Sequence, residues 1–143
     1  MTNQSKSQYL EVINFRYTFN SVNKTWDEAR QYCIQEGGDL ASLTNLDEQK
    51  NITINEAYTK GGTKEKWWIG LSQLVNKRWS WSDGSKSTWT NWHKAEPNGN
   101  NTNKTYCVHL RDYKWHDSLC TVERYFICKI PGKIKIILIL RYY

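Results

Sequence analysis

Between residues 13 and 130 the apolar positions change their period twice. Ile13, Phe15, Tyr17 and Phe19 recur at every second position, as in a strand with one buried face. Thr25-Trp26-Asp27-Glu28 follows as a capping box, in which the Thr25 hydroxyl takes one orphan N–H and Glu28 reaches back to another. Trp26, Ala29, Tyr32 and Cys33 then share one face of a helix running to about Glu36, and Gly37-Gly38 ends it, where a positive φ costs little. Asn45 and Glu48 open a second helix by the same logic, with Leu46, Ile54, Ala57 and Tyr58 inward and an end near Gly61-Gly62. Its β-branched run Ile52-Thr53-Ile54 is a mediocre helix interior. From Trp67 the pattern is again that of strands. Trp67–Leu71 is a short buried run, and Trp79 and Trp81 alternate with serines ahead of a turn at Asp83-Gly84. Cys107–Leu110 reads as a central strand, Lys114–Asp117 as its neighbour and Tyr125–Ile130 as the last. Helices first and most strands afterwards predict an α+β fold rather than alternating α/β.

Composition sharpens this. The chain has 143 residues, enough for one domain, and its 8 Trp and 9 Tyr predict a core built on tryptophan. The net charge of +6 is scattered over Lys60, Lys64, Lys66, Lys77, Arg78 and Lys86, without the stripe or module of a nucleic-acid binder, so no nucleic acid is expected. Weak attraction to anionic glycans or membrane surfaces suits such a charge better. Cys33, Cys107, Cys120 and Cys128 form no Cys-x-x-Cys pair; an even, dispersed set predicts two disulfides made in an oxidising compartment, with three connectivities open. Sequons at Asn3, Asn23, Asn51, Asn100 and Asn103 agree with a glycoprotein. The expected location is therefore extracellular, although Met1–Leu10 shows no signal peptide and the chain reads as an incomplete gene product or an excised domain. Lys133–Leu140 is short of the roughly 20 apolar residues that span a bilayer. It reads as an extra strand, a truncated anchor or a mispredicted gene end, and no clear membrane segment is present.

The candidate chemistry lies between Asn91 and Asp117. Glu96, Asn98 and Asp117 carry oxygen donors, which suit a hard cation such as Ca²⁺. Pro97 makes a cis bond accessible, and a cis Glu96-Pro97 peptide would hold the Glu96 and Asn98 side chains on one side of a turn. On spacing alone the stretch reads as readily as an Asn-rich hairpin loop without a ligand. The three histidines, His93, His109 and His116, complete no nucleophile–base set, so no enzyme is expected; the metal-site rival is a Zn²⁺ ion on His93, Glu96, His116 and Asp117.

Taken in order, Trp26-x-x-Ala29-x-x-x-Cys33, Gly38-x-Leu40-Ala41, Trp68-Ile69-Gly70-Leu71, Glu96-Pro97-Asn98, Cys107, Trp115-x-Asp117, Cys120 and Phe126-x-Cys128 together resemble the C-type lectin-like domain in its short form. The resemblance implies two helices packed on antiparallel sheets with a long loop region. It divides the chain into an extension over 1–8, the domain over 9–130 and an apolar, basic tail over 131–143. It also implies the pairs Cys33–Cys128 and Cys107–Cys120, worth roughly 4–5 and 3 kcal/mol by loop entropy.

In that family the loop holds one Ca²⁺ ion, and two vicinal sugar hydroxyls complete its shell. Glu-Pro-Asn goes with mannose-type sugars, namely mannose, fucose and N-acetylglucosamine. Carried over, Glu96, Asn98, His116 and Asp117 are the implied metal and sugar-binding residues, with glycans or glycoproteins as partners. Two positions depart from the pattern: Thr105 stands for a later acid, and His116 for an asparagine. With one carboxylate fewer, Ca²⁺ affinity is expected at or below the weak end of roughly 10⁻⁴–10⁻³ M. His116, with an ordinary pKa of about 6.5, is expected to make the site pH-sensitive. A second Ca²⁺ site is not expected, since Gln73, Asn76, Lys77, Gly99 and Tyr106 stand where its ligands would be. The alternative reading is a Ca²⁺-independent protein-binding module using an aromatic patch at Trp79, Trp89 and Trp92. Whether Asn100 or Asn103 carries a glycan, and whether the chain forms oligomers, the sequence leaves open.

Overall fold

The computed structural model describes residues 8–12, 14–132 and 135–139. The elements run β1 (Gln8–Val12), β2 (Phe15–Lys24), α1 (Trp26–Gln35), β3 (Asp39–Leu40), α2 (Leu46–Thr53), α3 (Glu56–Gly61), β4 (Trp67–Val75), β5 (Arg78–Trp81), β6 (Tyr106–Arg111), β7 (Lys114–Leu119), β8 (Arg124–Pro131) and β9 (Lys135–Ile139). The main sheet has the order β2-β8-β4-β6-β7, with β3 added on β8 and β5 on β4, and β1 pairs with β9 in a separate ribbon. The class is α+β. Within it the main sheet is mixed rather than purely antiparallel, because β4 runs parallel to β8 at Trp67↔Tyr125 and Trp68↔Phe126. Among the described residues no helix is long and apolar enough to cross a membrane.

Strand alternation sends side chains to two cores. Trp67, Ile69, Leu71, Val108, Leu110, Trp115 and Ile127 pack on one face with Ile52 and Tyr58. Trp68, Cys107, Phe126 and Cys128 pack on the other against Trp26, Ala29 and Cys33 of α1. The helix stripe read from the sequence is thus the face that docks. The capping box forms: the Thr25 hydroxyl accepts from Glu28 N, and Glu28 accepts from Thr25 N. Cys33–Cys128 ties α1 to β8 and Cys107–Cys120 ties β6 to the end of β7, the pairing that the resemblance implied.

The second helix differs from expectation. It breaks into α2 and α3, with Asn55 capping α3 through Ala57 N, so the described residues form three helices. The break falls just after the β-branched run and resets the helical phase. Ile52 and Tyr58 are buried as a result, whereas Leu46 and Ile54 are exposed. At the start of α2 only half of the capping box forms. Asn45 accepts from Glu48 N, but the Glu48 carboxylate takes Thr44 N, the Thr44 hydroxyl and Lys129 Nζ at 2.8 Å. Burial pushes the Glu48 carboxyl up, but the bonds from Lys129 and Thr44 outweigh it and leave it below its ordinary value. This pair joins α2 to β8. The tight hairpin turns are at Asn76-Lys77 and Asp112-Tyr113, all four with positive φ, while Asp83-Gly84 is a turn beyond β5. The expected strand at 13–19 is β2; Ile13 and residues 1–7 lie outside the described residues.

His109 on β6 is buried, with Nδ1 3.2 Å from the Ser118 hydroxyl, and burial together with nearby Arg124 pushes its imidazole down to about 2. A depressed base contributes stability that is complete above its unfolded value near 6.5 and is lost as pH falls below it. Urea unfolding of the protein at pH 5.5 should therefore give a free energy about 1 kcal/mol below that at pH 7 from this residue alone. His109→Gln should flatten that part of the profile, and an identical pH slope in the variant would refute the assignment.

Candidate functional site

The corner is built on β7. Successive strand residues face opposite ways, so Trp115 and Asp117 share the core side while His116 points to the other. The Trp115 indole is fully buried and donates to Gln49 Oε1 at 2.9 Å. The same Gln49 donates to Tyr113 O at 2.7 Å, which anchors the β6–β7 turn to α2. The incoming loop fastens to β7 by backbone: Trp115 N donates to Asn91 O at 3.0 Å and His93 N donates to Trp115 O at 2.9 Å. Trp89 and Trp92 pack edge-on against Trp115, and Trp79 packs on Trp92. These three indoles are half-buried rims of the core. Past His93 the chain turns, with Glu96 N donating to His93 O, and the Glu96-Pro97 bond is cis.

That turn brings Glu96, Asn98 and Asp117 together. Asp117, 8% exposed, accepts from Asn98 N and Gly99 N, one on each oxygen, both at 2.8 Å. Glu96 accepts from Asn98 Nδ2 at 3.0 Å and, weakly, from Asp117 N at 3.4 Å. Burial, and then the neighbouring Asp117 carboxylate, push the Glu96 carboxyl up to about 7. His116 Nδ1 lies 3.7 Å from Glu96 Oε1. Its ring is stacked between those of His93 at 5.0 Å and His109 at 5.5 Å. Burial, then His93 and Arg111, push the His116 imidazole below its ordinary value. The pH sensitivity expected at His116 therefore moves to Glu96: His116 is neutral at neutral pH, while the glutamate titrates there.

Thr105 does not join the group. Its hydroxyl accepts from Lys77 Nζ at 2.9 Å, and Lys77 also holds Lys104 O at 2.8 Å. Gly99 was overlooked as a site residue, although its role is steric. A Cβ there would meet Asp117 Oδ2 and the Tyr106 ring, each at 2.5 Å. The imidazole stack was also missed, because it depends on β6–β7 register, His109↔His116, and on a loop crossing. Among the described residues no three His, Cys, Asp or Glu side chains converge as a metal-holding group, which disfavours the zinc set. What does converge is two carboxylates and an amide, all hard oxygen donors. A buried and a half-buried carboxylate side by side, with no cationic side chain among the described residues hydrogen-bonded to either, fit a divalent cation of the Ca²⁺ type.

Comparison with known proteins identifies the family of the chain. Residues 22–130 match the family model described as the lectin C-type domain. The C-type lectin lectoxin-Phi2 of Philodryas olfersii is 39% identical over 113 residues, covering 74% of this chain and 70% of that protein. The galactose-specific lectin nattectin of Thalassophryne nattereri is 34% identical over 115 residues, covering 78% of this chain and 71% of its own. Among solved structures, the cow C-type carbohydrate-recognition domain of CD23, determined in the presence of a GlcNAc2Man3 oligosaccharide, superposes with a TM-score of 0.71 at 26% identity, covering 87% of this chain and 94% of that one.

Two measurements probe the corner. A raised acid contributes stability that is complete below its unfolded value and lost as pH rises through the folded one. In chelator, Glu96→Gln should therefore melt higher than the parent at pH 8 and no higher at pH 4. A constant difference at both pH values would remove the carboxylate pair as its cause. Gly99→Ala should cost about 1–3 kcal/mol by forcing Asp117 or Tyr106 aside, measured by urea unfolding; a neutral effect would show the loop to be looser than drawn.

Proposed function

The chain belongs to the C-type lectin domain family, and from that premise we propose that the 91–117 corner is a single, weak Ca²⁺ site for mannose-type sugars: mannose, fucose and N-acetylglucosamine. Glu96, Asn98 and Asp117 hold the ion by oxygen. His116, whose nitrogen is a poor donor to Ca²⁺, stands at the rim and contacts sugar. The observation that carries this reading is the Glu96–Asp117 carboxylate pair, whose charge no cationic side chain among the described residues neutralises through a hydrogen bond. When bound, the ion supplies open coordination positions for two vicinal hydroxyls. The chain's own part is to pre-aim the donors: Asp117 is pinned by two backbone N–H groups, and Glu96 and Asn98 flank a cis proline. Thr105, tied to Lys77, adds no charge, so affinity lies at the low end for such modules.

The family comprises binding modules rather than enzymes, and glycans or proteins are the partners of this one. Glu-Pro-Asn and the oligosaccharide in the cow relative's crystals favour mannose-type ligands; the galactose-specific relative argues the other way. Residues 9–130 form the binding unit. Two disulfides favour an oxidising location outside the cell. The Asn100 and Asn103 side chains are exposed on the same loop, where a glycan would crowd the opening.

A second reading, a Ca²⁺-independent protein-binding module, is favoured by one observation: Asn98 N and Gly99 N occupy both Asp117 oxygens and Asn98 Nδ2 binds Glu96, so the donors already satisfy one another. Binding to a glycan array or a glycoprotein that survives EDTA would select it.

Calorimetry decides the first reading. Millimolar Ca²⁺ at pH 8 should give saturable heat, and mannose should then bind only with Ca²⁺ present. At pH 6, where Glu96 is mostly protonated, Ca²⁺ affinity should fall about tenfold. No heat at millimolar Ca²⁺ at pH 8 would end the proposal.

A further inference from the structure

At one end of the main sheet the start of β4, the end of β6 and the start of β8 converge on a polar cavity of about 280 Å³. Lys64, Lys66, Arg111 and Arg124 line it, with Glu65 and Glu123 the acidic residues among its walls. Four cations outnumber two carboxylates, and the carboxylates do not neutralise them. Among the described residues neither Glu65 nor Glu123 forms an ion pair with any of the four; the nearest carboxylate to Arg111 is Asp112, at 3.9 Å.

One of the four, Arg124, is held in place rather than swinging in solvent. Arg124 donates through Nε and Nη2 to the Ser118 hydroxyl at 3.3 and 3.1 Å, and its guanidinium lies 5.3 Å from the centre of the Trp68 ring. Arg111 Nε is buried without a hydrogen-bond partner. Burial and then the charge of neighbouring cations push Lys66 and Arg124 down, as expected for like charges kept close together.

We propose that this cavity is an oxyanion site, fitted to a phosphate or sulfate group. A tetrahedral oxyanion offers acceptors on several sides, and lysine ammonium and arginine fork donors converge on such a group from different directions. The site is separate from the Ca²⁺ corner in its residues and does not depend on that reading. Asn23, on its rim, begins a sequon, so a glycan there would cover the mouth.

The test uses unglycosylated full chain in EDTA, which removes any contribution from the cation corner. Inorganic phosphate and inorganic sulfate are titrated separately at constant ionic strength made up with chloride, and the arginine Nε–Hε resonances are followed by NMR. The Arg124 resonance should shift saturably with at least one of the two ions. Lys66→Gln and Arg111→Gln should each weaken that binding at least fivefold, while Lys50→Gln and Lys86→Gln, which remove the same charge elsewhere, should not. Glucose 6-phosphate and glucose 6-sulfate then separate the sources: esters binding as well as the free ions point to a decorated glycan, and free ions alone to a soluble anion. Linear, unsaturable shifts with both ions, or saturation untouched by both site variants, would overturn the proposal. The parent titration stands on its own if one variant fails to fold.

Discussion

The corner depends on one residue being both core and clasp. Trp115 is fully buried among Trp81, Trp89 and Trp92, with its indole N–H given to Gln49. Its two backbone groups, which β6 does not use, hold Asn91 and His93 of the incoming loop. The hydrophobic demand that seats β7 therefore also sets the height at which the loop crosses it. Two residues on, with the same facing, Asp117 is carried to the edge of the core, where Glu96 arrives from the loop. The depth of that meeting, rather than the motif, is what buries Asp117 and half-buries Glu96 beside it.

Charge then decides what the meeting means. The imidazole nearest the pair, His116, is pushed below its ordinary value by burial and then by His93 and Arg111, so among the described residues little positive charge faces the carboxylates. Elsewhere the opposite imbalance occurs, with Lys66, Arg111 and Arg124 gathered at the sheet end. A chain of net charge +6 thus keeps a small acidic corner and a basic cavity apart, each short of its counter-charge. Contrast this with Glu48 and Lys129, a buried pair that the fold satisfies internally and uses to join α2 to β8.

Much of the scaffold was legible in the chain. Thr25 and Glu28 marked the start of α1, and its Trp26-Ala29-Cys33 stripe marked the buried face, because caps and helical period are local properties. The strands from Trp67 onward showed themselves by alternation, and Glu96, Asn98 and Asp117 by residue type and order. The break between α2 and α3 was not legible, since it turns on whether Ile52 or Ile54 finds room in the core, and Ile52 does. Nor was Gln49 visible as a brace: a lone glutamine on a helix carries no pattern, and only the arrival of Trp115 and Tyr113 gives it partners.

What the sequence by itself determined, then, is the set of elements, the cysteine inventory and the oxygen donors, because each is written in residue type and short-range spacing. What only the tertiary structure decided is the electrostatic state of those donors. The Glu96 carboxyl is pushed to about 7 by burial and by a residue 21 positions away, and the His116 imidazole is pushed below its ordinary value by burial and then by His93 and Arg111. Protonation depends on distance and solvent exclusion, and both exist only once the chain has closed on itself.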